Sequence, residues 1–182
     1  MNIINSYNLD KINDIEKIFL YLCYTSSNII NLNTLTKELD GLSRNTVEKY
    51  IGYLESANLI YISPLVNISG KQVLKSKDKI YIADAAIRNA VLMKDDITNE
   101  PNELGIIAET AVYKHVKAFY FKEAAMVGYF KGEKKDKEID IVVKSERFHP
   151  IMIEVKYRDQ AKIFCDDEIV VQAKESYPNL VI

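Results

Sequence analysis

The sequence contains two alternating runs, Glu138-Ile139-Asp140-Ile141-Val142-Val143 and Ile151-Met152-Ile153-Glu154-Val155-Lys156. In each run, neighbouring residues are suited to opposite faces of a strand. Apolar side chains recur at every second position in both runs, a pattern typical of half-buried β-strands. The residues between them, Lys144 to Pro150, are mostly polar and end in a proline, which suits a loop joining antiparallel neighbours. The sequence therefore predicts a β-hairpin.

The hairpin brings charged side chains to one face. Asp140 on the first strand, and Glu154 and Lys156 on the second, point to the same side of the sheet. An exposed strand face often carries such charges without any function. These charges, however, flank the most apolar strand pair of the chain, where a sheet is normally covered on both sides. We therefore expect Asp140 and Glu154 to converge.

Two converging carboxylates repel each other unless a cation lies between them. Mg²⁺ takes oxygen ligands and typically uses one or two protein carboxylates, with water and substrate phosphate completing its shell. We predict a metal site for Mg²⁺ or Mn²⁺ at Asp140 and Glu154. Lys156 lies about 6–7 Å further along the strand, where its ammonium can hold an attacking water or offset charge on a phosphate.

The pattern of Asp140, a loop, and then Glu154-Val155-Lys156 resembles the PD-(D/E)xK nuclease superfamily. The resemblance implies that Asp140 and Glu154 are metal ligands and that Lys156 orients or activates water. Members carry a further acidic residue on a helix before the first core strand, and Glu109 matches that place as an accessory ligand. This chain departs from the motif at Ile139, which stands where the motif's name has proline.

Composition sets limits on the class of protein. The chain has 182 residues, of which 48% are hydrophobic and 27% are charged, as in an ordinary globular protein. Neither a transmembrane run nor a signal peptide is recognisable, so we expect a cytoplasmic protein without a membrane partner. The formal net charge of −2 argues against a strongly basic nucleic-acid binder, so any contact with DNA needs a local patch. Cys23 and Cys165 fit no metal spacing and are predicted to be core thiols.

The first hundred residues predict a helix-turn-helix. A helix starting at Asn33 is broken at Gly41, and Ser43 then caps a longer helix with an apolar stripe. Extended segments at 59–63 and about 72–82 follow, as expected for the winged version of this motif. The sequence thus predicts an N-terminal winged helix-turn-helix domain.

Two interpretations of this domain remain open. The first is DNA binding, with some side chains outward on the recognition helix and others on the wing. The helix residues are Ser43, Arg44, Asn45 and Lys49, and the wing residues are Lys71 and Lys75. The second is a packing or dimerisation module, with Tyr50 and Tyr53 in an interface, because a fold does not determine a function.

A polar segment from Met93 to Glu103 is the best candidate for a domain boundary. We therefore predict domains at 1–94 and 103–182. The helix after the boundary has an apolar face with His115 near its middle, which predicts a core histidine. That face consists of Leu104, Ala108, Ala111, Val112, His115 and Phe119.

The second domain is predicted to have the order αβββαβ of a restriction-endonuclease-like fold, so that the whole chain is α/β (α+β). Met126–Lys131 is its first strand, and a helix within 161–176 and a strand at 179–182 complete it. The sequence stops in mid-strand, so we expect a C-terminally truncated fragment of a longer protein.

The order of a winged helix followed by a nuclease-like domain resembles the C-terminal region of predicted archaeal and bacterial AAA+ ATPases. The likeness rests on Ser43 to Ile51, Tyr81-Ile82-Ala83-Asp84, Glu109, and the two runs that carry Asp140 and Glu154. No Gly-x4-Gly-Lys-Ser/Thr loop is present in this sequence, so we do not expect this polypeptide to hydrolyse ATP. The resemblance implies an ATPase domain as a partner.

Three functions follow from these patterns. The first is a metal-dependent DNA endonuclease. The second is a DNA-binding module whose nuclease-like half is an inactive scaffold. The third is a regulatory or homo-oligomerisation module of an ATPase that does not contact nucleic acid.

Overall fold

The computed structural model describes residues 12–39, 42–66, 77–132 and 138–157. Over these residues the chain is a mixed α/β protein with five α-helices and two small antiparallel sheets. It divides into two compact units, Met1–Ile62 with Lys77–Ile97, and Ser63–Ser76 with Thr98–Ile182. None of the described helices has the length and apolar character needed to cross a membrane.

The first unit begins with helices and ends with strands and a short helix. Its elements are α1 (Ile12–Tyr24), β1 (Asn28–Ile29), α2 (Leu32–Glu38), α3 (Arg44–Ser56), β2 (Ile60–Ser63), β3 (Lys79–Ile82) and α4 (Ala85–Val91). Its sheet has the strand order β1-β3-β2, with β1 antiparallel to β3. Residues 72–76 of the predicted wing strand lie outside the described residues.

Side chains that cap the helices explain where the helices start. The Ser43 hydroxyl accepts a hydrogen bond from the Thr46 amide at 3.1 Å, as predicted. The Asp84 side chain caps α4 by accepting from the Ala86 amide. The predicted start of α2 at Asn33 was one residue late, since the helix begins at Leu32. Asn31 is its N-cap because its side chain accepts from two following amides, so the helix begins before Asn33.

The core of the first unit is formed by buried apolar side chains from α1, α2, α3 and the sheet. They include Ile18, Leu22, Cys23, Leu35, Val47, Tyr50, Leu54, Ile60, Ile80 and Ile82. Tyr50, which was considered for an interface, is only 8% exposed and packs in this core, so it is not available to a second molecule. Its ring lies 6.2 Å from that of Tyr53, which is partly buried.

The second unit consists of one long helix and a three-stranded sheet in the part of the chain that the structure describes. Its elements are α5 (Pro101–Phe119), a 3-10 turn (Phe121–Glu123), β4 (Met126–Lys131), β5 (Glu138–Lys144) and β6 (Ile151–Ile153). The strand order is β4-β5-β6, antiparallel throughout. The first strand and the hairpin are confirmed, whereas the predicted helix at 161–176 and strand at 179–182 lie outside the described residues.

The buried face of α5 differs from the prediction. Thr110 and Tyr113 are the buried residues of this helix, whereas His115 is exposed and Phe119 is 78% exposed. The Tyr113 hydroxyl donates to the Val127 carbonyl of β4 at 3.4 Å, which fixes this side of the helix toward the sheet. The predicted core role of His115 was therefore wrong, and its ring nitrogen Nδ1 instead lies 2.7 Å from the Ala111 carbonyl within the same helix.

Candidate metal site

The pairing of β5 with β6 brings the two predicted carboxylates opposite each other. Val142 pairs with Met152, and Ile141 pairs with Ile153. One further step in the same antiparallel register places Asp140 opposite Glu154. The predicted convergence of these two residues is thus found in the structure.

Reciprocal hydrogen bonds join the two carboxylates to the backbone. The Val155 amide donates to Oδ2 of Asp140 at 2.9 Å, and the Asp140 amide donates to Oε2 of Glu154 at 3.4 Å. In both bonds a carboxylate oxygen is the acceptor for an amide of the neighbouring chain segment. This exchange explains why β6 ends at Ile153 rather than at Lys156 as predicted.

A β-bulge lies at the same place. The register between β4 and β5 shifts between Gly128 and Phe130, so that Tyr129 alone faces two residues of β5, Asp140 and Ile141. The ladder pairs on either side are Gly128 with Val142 and Phe130 with Ile139. Bulges of this kind bend a strand and re-aim a side chain, and they are over-represented beside active sites.

The two carboxylates lie beside a buried part of the sheet. Val142 and Met152, which share their strand face, are 0% and 1% exposed, and the Glu154 side chain is 9% exposed. Burial, followed by the charge of Asp140, raises the pKa of the Glu154 carboxyl, while the Lys156 ammonium lowers it. Lys156 forms an ion pair with Oε1 of Glu154, and its side chain is 34% exposed. The site therefore joins two carboxylates and one ammonium at the border between core and solvent.

This donor set fits a hard divalent cation. Paired carboxylates, one of them with a raised pKa, offer oxygen ligands and gain from a cation that offsets their repulsion. The described residues contain no group of three or more His, Cys, Asp or Glu side chains placed to hold a metal, so Glu109 does not form such a group with Asp140 and Glu154. Mg²⁺ commonly uses only one or two carboxylates, and the pair alone is sufficient for that mode.

The predicted DNA-contacting residues of α3 are largely engaged within the helix. Ser43 forms the N-cap, Arg44 pairs with Glu48 at 2.8 Å, and the ammonium of Lys49 lies 5.6 Å from the ring centroid of Tyr53. Asn45 is exposed, as are Arg44 and Lys49. Lys71 and Lys75 lie outside the described residues.

Sequence reasoning missed Gly128 and Tyr129 as parts of the site. The alternating pattern of β4 predicts a regular strand, and a bulge depends on the partner strand, which a local pattern does not reveal. The glycine within an otherwise apolar strand was the available signal, because such a glycine often marks a bulge or a close backbone approach.

Comparisons with known proteins agree with a division into two parts. A family model for a domain of unknown function, DUF8612, matches residues 4–98. A second model, for the domain of unknown function DUF4143, matches residues 104–167, and this domain is often found in C-terminal regions associated with AAA ATPases.

An uncharacterized protein of Haemophilus influenzae is 32% identical over 84 residues, which cover 44% of this chain and 21% of that protein. The chain thus spans about a fifth of the length of this relative. No solved structure gives a significant match. Because the first family model covers 95 of 182 residues, the chain belongs to the DUF8612 family.

Proposed function

We propose that the second unit is a metal-dependent phosphodiesterase of the PD-(D/E)xK nuclease type, with DNA as its substrate. The observation that carries this proposal is that Asp140 and Glu154 lie opposite each other at a β-bulge. Lys156 forms an ion pair with Glu154 at the same place. The order of helix and three strands around this pair is the order found in that superfamily.

A purely structural role explains the pair less well. Placing a second carboxylate beside Asp140 in a largely buried position is unfavourable, because burial and the neighbouring charge both raise the pKa of Glu154. A partly buried ion pair with Lys156 offsets this cost incompletely, and apolar residues of similar volume often stabilise a protein more than such a pair does. The arrangement is therefore more easily explained by function than by stability.

In this proposal Asp140 and Glu154 bind Mg²⁺ or Mn²⁺ through their carboxylate oxygens. When bound, the cation lowers the pKa of a coordinated water and offsets negative charge on the phosphate. Lys156 lies at the exposed edge of the pair, where its ammonium can leave Glu154 and donate hydrogen bonds to a phosphate oxygen or to the attacking water. Glu109 is not needed as a third ligand.

Titration calorimetry with Mn²⁺ and Mg²⁺ tests the site without a choice of substrate. Asp140→Asn keeps the size of the side chain but removes its charge, and we expect it to weaken binding by at least about tenfold. Glu146→Gln, an exposed carboxylate of the β5–β6 loop, is the matched control and should bind as the wild type does. Equal binding by Asp140→Asn and the wild type would contradict the proposed site.

Cleavage of single-stranded, duplex and branched DNA in the presence of Mn²⁺ tests the activity. Glu154→Ala should abolish cleavage while the protein remains folded, and Glu146→Gln should cleave as the wild type does. Cleavage that persists unchanged in Glu154→Ala would show that it arises from another site or from a contaminant.

For the first unit we propose a winged helix that binds DNA. The element order α1-β1-α2-α3-β2-β3 with the sheet order β1-β3-β2 supports this fold, and α3 exposes Arg44, Asn45 and Lys49. Arg44→Ala and Lys49→Ala should each weaken DNA binding. Each should also lower the number of counterions released on binding, read from the salt dependence of the affinity, by about one. Glu48→Gln should strengthen binding, because Glu48 holds Arg44 in an ion pair.

A specific observation favours a second candidate, a regulatory or oligomerisation module of an AAA+ ATPase. Helix α3 carries two basic and two acidic residues, so its charge is balanced where a DNA-binding helix is usually basic. The match to DUF4143 also supports an ATPase context. If none of the three α3 variants changes DNA binding, this candidate replaces the DNA-binding one for the first unit.

A further inference from the structure

The segment Pro64–Val66 pairs with the edge of β4 that faces away from β5. The Val66 amide donates to the Tyr129 carbonyl at 2.7 Å, and the Tyr129 amide donates to the Pro64 carbonyl at 2.9 Å. Leu65 thereby forms a parallel bridge with Tyr129. Pro64–Val66, predicted to lie in the first domain, groups with the second unit through these bonds.

This close approach requires a glycine at position 128. A Cβ atom on Gly128 would lie 2.1 Å from the Pro64 carbonyl oxygen and 2.6 Å from Cγ2 of Val66. The first of these atoms belongs to the backbone, so no change of rotamer relieves the overlap. Any larger residue at position 128 must therefore push the segment away from β4.

Tyr129 links this segment to the candidate metal site. Both of its backbone groups bond to Pro64 and Val66, and on the other side of β4 it is the residue that faces the bulge at Asp140 and Ile141. A bulge interrupts the hydrogen-bond ladder locally, so the register between β4 and β5 is less strongly fixed there. A shift of this bulge by one residue along β5 would turn the Asp140 side chain toward the opposite face of the sheet, away from Glu154.

We propose that Gly128 and the segment Pro64–Val66 position Asp140, by holding Tyr129 and so fixing the register of the bulge. These are positioning residues, since they act through β4 and do not touch the metal or the substrate. The inference rests on the proposed function for its consequence, metal binding, but its structural part, the geometry of the Asp140–Glu154 pair, is measurable separately.

The test compares two substitutions of glycine by alanine. Gly128→Ala should displace the segment and weaken Mn²⁺ binding by about tenfold or more, as changes that disturb the support of metal ligands commonly do. Gly105→Ala is the matched control, because a Cβ at that helical position meets no atom within 4 Å. Calorimetry well below the melting temperature of each variant separates lost affinity from lost stability.

Amide spectra report the geometry directly. In ¹⁵N–¹H correlation spectra without metal, Gly128→Ala should shift the Asp140 and Val155 amides, which donate to the two carboxylates, while Gly105→Ala leaves them in place. This readout applies whether or not the wild type binds Mn²⁺. Unchanged Asp140 and Val155 amides in a folded Gly128→Ala protein would overturn the inference.

A second pair of variants covers the case in which Gly128→Ala does not fold. Val66→Pro removes the amide that donates to Tyr129, whereas Val66→Ala shortens the same buried side chain but keeps that amide. We expect Val66→Pro to shift the two reporter amides and to weaken Mn²⁺ binding beyond the effect of Val66→Ala. Equal spectra and equal affinities for these two variants would refute the positioning role.

Failure of the proposed function has a different signature. A wild type that binds neither Mn²⁺ nor Mg²⁺ argues against the metal site, yet reporter amides that move in Gly128→Ala and not in Gly105→Ala still support the positioning of the carboxylate pair. Normal metal binding in both the wild type and a folded Gly128→Ala protein would support the metal site and contradict the positioning role.

Discussion

At the scale of single residues, the folded protein disfavours the charged form of Glu154. Burial and the neighbouring Asp140 raise its pKa, and Lys156 offsets only part of that effect. The folded pKa therefore lies above the unfolded one, which is about 4.3 for a glutamate. Between these two values the folded state binds more protons than the unfolded state does. The contribution of Glu154 to stability is thus present at low pH and is lost as the pH rises through the folded pKa.

We predict that Glu154→Gln gains stability relative to the wild type as the pH rises from 4 to 7. The amide cannot ionise, so the charged form that the folded state disfavours is absent from the variant. Urea unfolding at several pH values measures the difference, with Glu146→Gln as the exposed control. A relative stability of Glu154→Gln that falls over this pH range would show that the ion pair with Lys156 outweighs burial.

At the scale of secondary-structure elements, the start of α3 depends on one hydroxyl. The Ser43 side chain accepts from the Thr46 amide at 3.1 Å and exchanges a second hydrogen bond with the Thr46 hydroxyl at 2.8 Å. The first amides of a helix have no partner within the helix, and a capping side chain supplies one. Ser43 thus has a structural role whether or not α3 contacts DNA.

We predict that Ser43→Ala destabilises the protein by about 1 kcal/mol, the usual effect of losing an N-cap. Ser43→Asp keeps a capping acceptor and places a negative charge at the positive end of the helix dipole, so it should retain most of the stability. Urea midpoints measure both variants. Equal losses in the two variants would mean that the hydroxyl acts in some way other than as the cap.

At the scale of the whole molecule, Cys23 lies buried within the core of the first unit. This residue is 0% exposed, and burial raises the pKa of its thiol to about 11, although the guanidinium of Arg88 lowers it. Arg88 is itself buried and donates from Nε to the Cys23 carbonyl at 2.9 Å. Only a thiolate reacts readily with disulfide reagents, and the folded core disfavours that form.

We predict that Cys23 reacts with a disulfide reagent at pH 8 at least about 1000-fold more slowly in native buffer than in denaturant, because the core must open first. The measurement uses Cys165→Ser, so that one thiol is observed. Rapid native labelling of Cys23 would show that this core opens far more often than a folded domain of ordinary stability does.

The hairpin and the Ser43 cap were predictable because their signals are local. Ile139, Ile141 and Val143 alternate with residues of the opposite face, and all three are buried in the structure. The hydrogen bond of Ser43 reaches only three residues along the chain, so its capping role follows from neighbouring residues. Short-range patterns of this kind also identified Asp140, Glu154 and Lys156 as candidate site residues, although their proposed catalytic roles stay a prediction.

By itself the sequence determined that the hairpin of β5 and β6 forms, that Ser43 caps α3 and that Asp140 and Glu154 converge, because alternation and capping act within a few residues. Only the tertiary structure decided that α5 buries Tyr113 rather than His115, that β5 bulges at Asp140, and that Pro64–Val66 bonds to Tyr129. These features depend on contacts between residues far apart in the chain, and such contacts leave no periodic signal in either partner alone.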